Sequence, residues 1–201
     1  MNAFSASEPK LAPPGAGLPK PELWIARLLF QWQFRTGNRR SFNARFQHER
    51  AAIRSLIADC TAESGGRRVL IRRVPGLEDS SRYWSVWMTL DHLRIIHSGI
   101  SHTIRSLARG VAMEGQASTA KVKPDPEVAE SIVADYEQSC DTLLKTVANI
   151  PDLGSAACFA HPWFGPLNAS GWHALAAQHI SIHRVQIERI MAGLHLPSHT
   201  L

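Results

Sequence analysis

Val86, Thr89, Leu93, Ile96, Ile100, Ile104 and Leu107 return every three to four positions, which is the spacing of an α-helix that buries one face. A second stripe runs through Trp172, Leu175, Ala176, Ile187, Ile190 and Leu194, and a third through Val128, Ile132, Tyr136, Cys140, Leu143 and Val147. Phe42, Phe46, Ile53, Leu56 and Ile57 mark an earlier one. No segment alternates with period two and none repeats another, so the expected class is all-α. Four main helices joined by a long crossover satisfy the pattern as a four-helix bundle.

Punctuation sets the expected boundaries. Two helical stretches run from Glu22 to about Cys60, broken at Thr36-Gly37-Asn38. The crossover occupies 64–81, with Val69-Leu70-Ile71 extended and Pro75-Gly76 a turn. Helices are expected over 81–109, closed by Gly110, and over 126–147. Residues 149–167 read as a loop carrying HPWFG, after which Asn168 or Ser170 caps a last helix ending near Gly193. Residues 1–21, rich in Pro, Gly, Ala and Ser, offer too little apolar area to offset their chain entropy. They are expected to be a disordered tail on a single domain spanning 22–201.

Several function classes are disfavoured. WIARLLFQWQF, the most apolar run, is broken by Arg27 and falls short of the ~18 residues a membrane span requires. The N-terminal region has charges and prolines where a secretory signal needs an apolar stretch, so a cytoplasmic location with no membrane partner is expected. Cys60, Cys140 and Cys158 form no Cys-x-x-Cys spacing, which leaves His or carboxylate as metal ligands and three buried reduced thiols as the expectation. The net charge of +5 sits in short pairs, Arg39-Arg40, Arg67-Arg68 and Arg72-Arg73, without interleaved aromatics. That distribution suits solvated surface better than nucleic acid.

The histidines separate when placed at about 100° per residue. His92 falls inside the apolar arc of its helix, His97 at the edge, and His102 on the polar side with Asp91, Arg94, Ser98, Ser101 and Arg105. On the last helix His179 and His183 sit near the middle of the apolar face, Gln186 shares it, and His173 is at the margin; Ser181, Arg184 and Glu188 lie opposite. A single inward His is usually a core residue with one hydrogen-bond partner. Two of them one turn apart leave two buried nitrogens that a divalent cation would satisfy together.

WSVWMTLDHL, followed much later by HPWFGPLNASGWHALAAQHISIHRVQI, resembles the DinB/YfiT-like metalloprotein superfamily. The resemblance implies a four-helix bundle of up-up-down-down topology in which His92, His179 and His183 hold one divalent ion, zinc, nickel, iron or manganese. It also implies small-molecule chemistry, including transferases that use low-molecular-weight thiols, and a homodimer. Many relatives have Gly where this chain has Val185, a departure that bears on helix approach and on the dimer.

Three neutral ligands leave the ion's charge intact and a position open. No Glu follows His179, so the base of His-Glu-x-x-His peptidases is missing. Neither His-bearing helix has a carboxylate on its inward arc, which favours a thiol nucleophile over water, or no catalysis at all. His161, Trp163 and Phe164 are candidates for a rim, Trp172 for a pocket wall, and Gln186 for a ligand-orienting partner. Trp84 and Trp87 read as core. Two readings stand: a metal-dependent transferase, thiol-dependent, or hydrolase acting on a small molecule; and a non-catalytic, metal-stabilised bundle that binds a ligand or protein partner.

Overall fold

The apolar stripes bury themselves by packing on one another. A computed structural model describes residues 9–195 of the chain. Its main helices are α1 (Lys20–Thr36), α2 (Arg39–Ile57), α4 (Val86–Ala108), α5 (Ile132–Ala148) and α6 (Ala169–His195), with a single-turn α3 (Ala62–Gly66). Among the described residues the rest includes two short antiparallel ribbons, β1 (Val69–Leu70) with β2 (Tyr83–Trp84), and β3 (Phe159–His161) with β4 (Gly165–Leu167).

The bundle is made by α2, α4, α5 and α6. α4 packs on both α5 and α6, and α6 also packs on α2. Arg50 and Arg54 of α2 pair with Glu137 of α5, and Arg50 also with Asp141 at 2.6 Å, which closes the ring. Phe46, Ile53, Leu93, Ile104, Tyr136 and Ile187 are fully buried between these helices. Each such side chain is worth about 1.5–3 kcal/mol relative to exposure.

The crossover wraps the C-terminal half of α6. Val69 pairs with Trp84 and Leu70 with Tyr83, while Arg189 of α6 donates to the carbonyls of Arg72 and Arg73 at 2.7 and 2.8 Å. This pairing corrects the expected helix start at 81. Residues 79–81 make one 3₁₀ turn, 83–84 are held as strand, and Ser85 caps α4 by accepting from the Met88 amide at 3.1 Å. At the other end Gly110, at φ 77°, donates to Leu107 O and Val111 donates to Ser106 O, a Schellman closure.

Three further expectations are corrected. α5 begins at Ile132 rather than 126, because Asp125 captures the amides of Glu127 and Val128 in a turn. The HPWFG segment is a hairpin rather than a loop, with Phe159 opposite Leu167 and His161 opposite Gly165. Within the expected tail, residues 9–21 are ordered and tethered to the domain at a few points: the Ala12 amide donates to Asp79 Oδ2 at 2.8 Å, the Gly15 amide to Glu78 Oε2 at 3.3 Å, Leu18 is buried, and α1 starts at Lys20. Residues 1–8 lie outside the described residues.

No helix among the described residues is long and apolar enough to cross a membrane. Of the arginine pairs, Arg39 donates to Pro151 O, Arg67 to Leu194 O, and Arg73 pairs with Glu22. Only Cys140 of the three thiols is buried; Cys60 and Cys158 are half-buried.

Candidate metal centre

His92 sits in the second turn of α4, and His179 and His183 are one turn apart in the middle of α6. Because α4 and α6 pack directly, the two inward arcs meet. The His179 Nε2 lies 3.3 Å from His92 Nε2 and 3.1 Å from His183 Nε2, and one ligand nitrogen from each of the three falls within 4.8 Å of the others. Two nitrogens on a tetrahedral zinc, each about 2.0–2.1 Å from it, stand about 3.3 Å apart.

The tautomers follow from what each ring touches. His92 Nδ1 is 2.6 Å from Val122 O, a carbonyl that can only accept, so Nδ1 carries the proton. Gln186 Nε2 donates to Ser81 O at 2.8 Å, which turns its Oε1 toward His183 Nδ1 at 2.6 Å; that nitrogen is also protonated. Burial pushes the His92 pKa down to about 4, and burial together with neighbouring imidazoles holds His179 and His183 well below 6.5. All three rings are therefore neutral near pH 7, and both His92 and His183 turn a bare Nε2 lone pair toward the third ring.

One proton on His179 Nε2 satisfies at most one of those lone pairs, and His179 Nδ1, buried, has no partner of its own. A proton on Nδ1 instead leaves three lone pairs converging. Either way a buried acceptor is uncompensated, which costs about 1–3 kcal/mol. A divalent cation accepts from all three at once, so the residues fit a metal ion.

The surroundings hold the rings in place. Trp84, from β2, stacks nearly parallel on His183 at 6.2 Å between centroids and tilts against His92 at 5.2 Å, with Lys123 Nζ over its ring at 5.4 Å. Its place as a wall behind the histidines was hidden in the sequence, because Trp84 lies outside any helical stripe. Trp87 is core, as expected, and donates to Ala62 O.

The cluster lies at one side of a cavity of about 330 Å³. His161, Trp163, Phe164 and Trp172 all line it. Phe164 stacks on His161 and on Phe30 of α1, Arg27 Nε donates to Trp163 O at 2.6 Å, and Trp172 donates to Phe159 O. The rim residues are thus fixed by contacts between the hairpin and α1. Burial pushes His161 down to about 4.

One carboxylate among the described residues lines the cavity, and it comes from outside the two helical arcs to which the expectation applied. Glu78 is buried and comes from the crossover, accepting from Lys123 Nζ at 3.0 Å, Thr119 Oγ1 at 2.9 Å, Ser80 Oγ and the Gly15 amide. Burial raises its pKa, but the bonds from Lys123 and Thr119 outweigh this and lower it. Its acceptor capacity is taken up in tying three segments together. Asp91 and Ser101, assigned to a solvated face, are buried: Asp91 accepts from Arg94 and the Asp125 amide, and Ser101 donates to His97 O.

His97 is also fully buried, not marginal, but its partners are Ser139 Oγ at 3.2 Å and Cys140 on α5, with Phe46 against its ring. His102 is exposed. His173 is buried and bonded to Asn43 Oδ1 at 2.9 Å.

No protein-family model and no curated protein matches this chain. Among solved structures it is similar to the crystal structure of TT2238, a four-helix bundle protein, at 22% identity and a TM-score of 0.53, over 74% of this chain and 96% of that one. At that identity the likeness concerns the fold: a mainly helical chain built on a four-helix bundle.

Proposed function

We propose that His92, His179 and His183 hold one divalent metal ion, and that the protein is a metal-dependent enzyme acting on a small molecule, in the manner of the DinB/YfiT-like superfamily. The observation that carries this is the convergence of three neutral imidazole Nε2 atoms, two of them fixed as bare acceptors by Val122 O and Gln186. One ligand from α4 and a His-x-x-x-His pair from α6 are the arrangement that superfamily leads one to expect, and its up-up-down-down topology belongs to the same proposal. Zinc, nickel, iron or manganese suits three imidazoles.

Bound there, the ion supplies Lewis acidity and lowers the pKa of a thiol or water brought to it. The chain's own residues orient the ligands and screen the site. Gln186 and the Val122 carbonyl fix two rings, Trp84 backs them, and the apolar cavity limits water. Glu78, the carboxylate among the described residues that lines the cavity, is committed to Lys123 and Thr119, so no free carboxylate stands beside the cluster to act as general base. This favours a group that ionises readily by itself, such as a low-molecular-weight thiol attacking an electrophile, over hydrolysis by water. The cavity reaching the histidines favours this enzyme reading over a sealed structural metal.

The test is elemental analysis of untagged protein beside His179→Ala and His183→Ala. About one equivalent of metal in the wild type and little in either variant is expected. Wild-type protein that takes up no divalent ion would refute the proposal. A panel of thiols with electrophiles, run beside ester and amide substrates, then separates transferase from hydrolase.

A further inference from the structure

The walls of the cavity carry almost no usable charge. Ile95, Ile96 and Ile100 of α4 form one side, and Phe159, Phe164 and Trp172 the other. Glu78 and Lys123 neutralise each other at 3.0 Å, and Lys121 is exposed to solvent. Away from the three histidines, an ion in this cavity would lose its hydration without gaining a partner. Among the lining residues two buried polar atoms have no hydrogen-bond partner: His179 Nδ1, on a ring already assigned to the metal centre, and Gln178 Oε1.

A second observation concerns access. Gly99 lies in the interior of α4, where glycine is disfavoured relative to alanine, yet a Cβ built there meets nothing within 4 Å. No packing requires the glycine. It lines the cavity and is exposed, so the missing side chain leaves the mouth clear.

We propose that this cavity binds an uncharged, largely apolar molecule about the size of two fused rings, and that Gln178 accepts the one hydrogen bond the molecule donates. The size follows from volume: a dry cavity of about 150 Å³ takes a benzene, and this one is roughly twice as large. The proposal deepens the small-molecule reading above, and it rests on that reading for the claim that the occupant is the substrate; the binding itself needs only the cavity.

Equilibrium dialysis of the as-purified protein tests it with three probes of one shape: 2-naphthol, 2-methylnaphthalene and 2-naphthoate. The naphthol should bind about three- to tenfold tighter than its methyl isostere, the worth of one net hydrogen bond, and the naphthoate, dialysed against chelator-treated protein so that no metal ion can ligate it, at least tenfold weaker than the naphthol. Gln178→Leu should remove the preference for naphthol while keeping the methyl compound. Gly99→Leu should weaken all binding at least tenfold with a melting temperature at or above that of the wild type. Tightest binding by the naphthoate to chelator-treated protein, unchanged binding in Gly99→Leu, or no binding of any probe would overturn the proposal. Metal content measured on the same preparation keeps the two readings apart: probes bound without metal would refute only the metal site, and metal bound without probes only the cavity's occupant.

Discussion

Gln186 shows how much of the site depends on a residue that touches no reacting atom. Its amide spans from Ser81 O to His183 Nδ1 and so decides which nitrogen of His183 is bare. Gln186→Leu should lower metal affinity about 10–100-fold, read by competition with a chromophoric chelator, and wild-type affinity would show that the tautomer is set some other way. His97→Ala should leave metal stoichiometry unchanged, since that ring is engaged with Ser139 and Cys140, while costing stability through the cavity left in the core. A fall in bound metal would contradict the assignment. Helical spacing placed His92, His179, His183 and Gln186 on facing arcs. It did not find Trp84 or Glu78, which belong to the crossover and reach the site only once that segment wraps α6.

At the level of elements, the stripes identified the helices but not where they begin. α4 starts at Val86, capped by Ser85, because residues 83–84 are claimed by pairing with 69–70, a partnership between segments whose two-residue strands are too short to show alternation. The capping groups are local and can be weighed. Ser85→Ala should cost about 1 kcal/mol by leaving the Met88 amide without its acceptor. Gly110→Ala should cost about 1 kcal/mol for a different reason: a Cβ there meets no atom, so the penalty is that of a left-handed φ in a residue with a side chain. Urea denaturation measures both, and a neutral Gly110→Ala would mean the Schellman closure relaxes at no cost.

For the whole molecule, the N-terminal segment belongs to the fold. A chain starting at residue 20 should be about 1–3 kcal/mol less stable than one starting at residue 9, given the burial of Leu18 and the bonds to Glu78 and Asp79. Equal melting temperatures would show that these contacts contribute nothing. Acid should also destabilise the protein. Burial holds His161 and His173 down to about 4 and His97 to about 3, whereas in the unfolded chain each titrates near 6.5. The unfolded state therefore takes up protons first, and stability should fall as pH drops from about 6.5 toward 4, by up to about 1.4 kcal/mol per pH unit for each histidine. A denaturation midpoint that stays flat from pH 7 to 4.5 would refute this. What the sequence alone determined is what depends on neighbours three and four residues apart: the helical class, the inward arcs, and the two turns of α6 that carry His179 and His183. Tertiary structure decided the rest, because the tautomers, the Trp84 wall, the neutralised Glu78 and the tethering of residues 9–21 all arise from segments distant in the chain, whose meeting leaves no periodic trace in either of them.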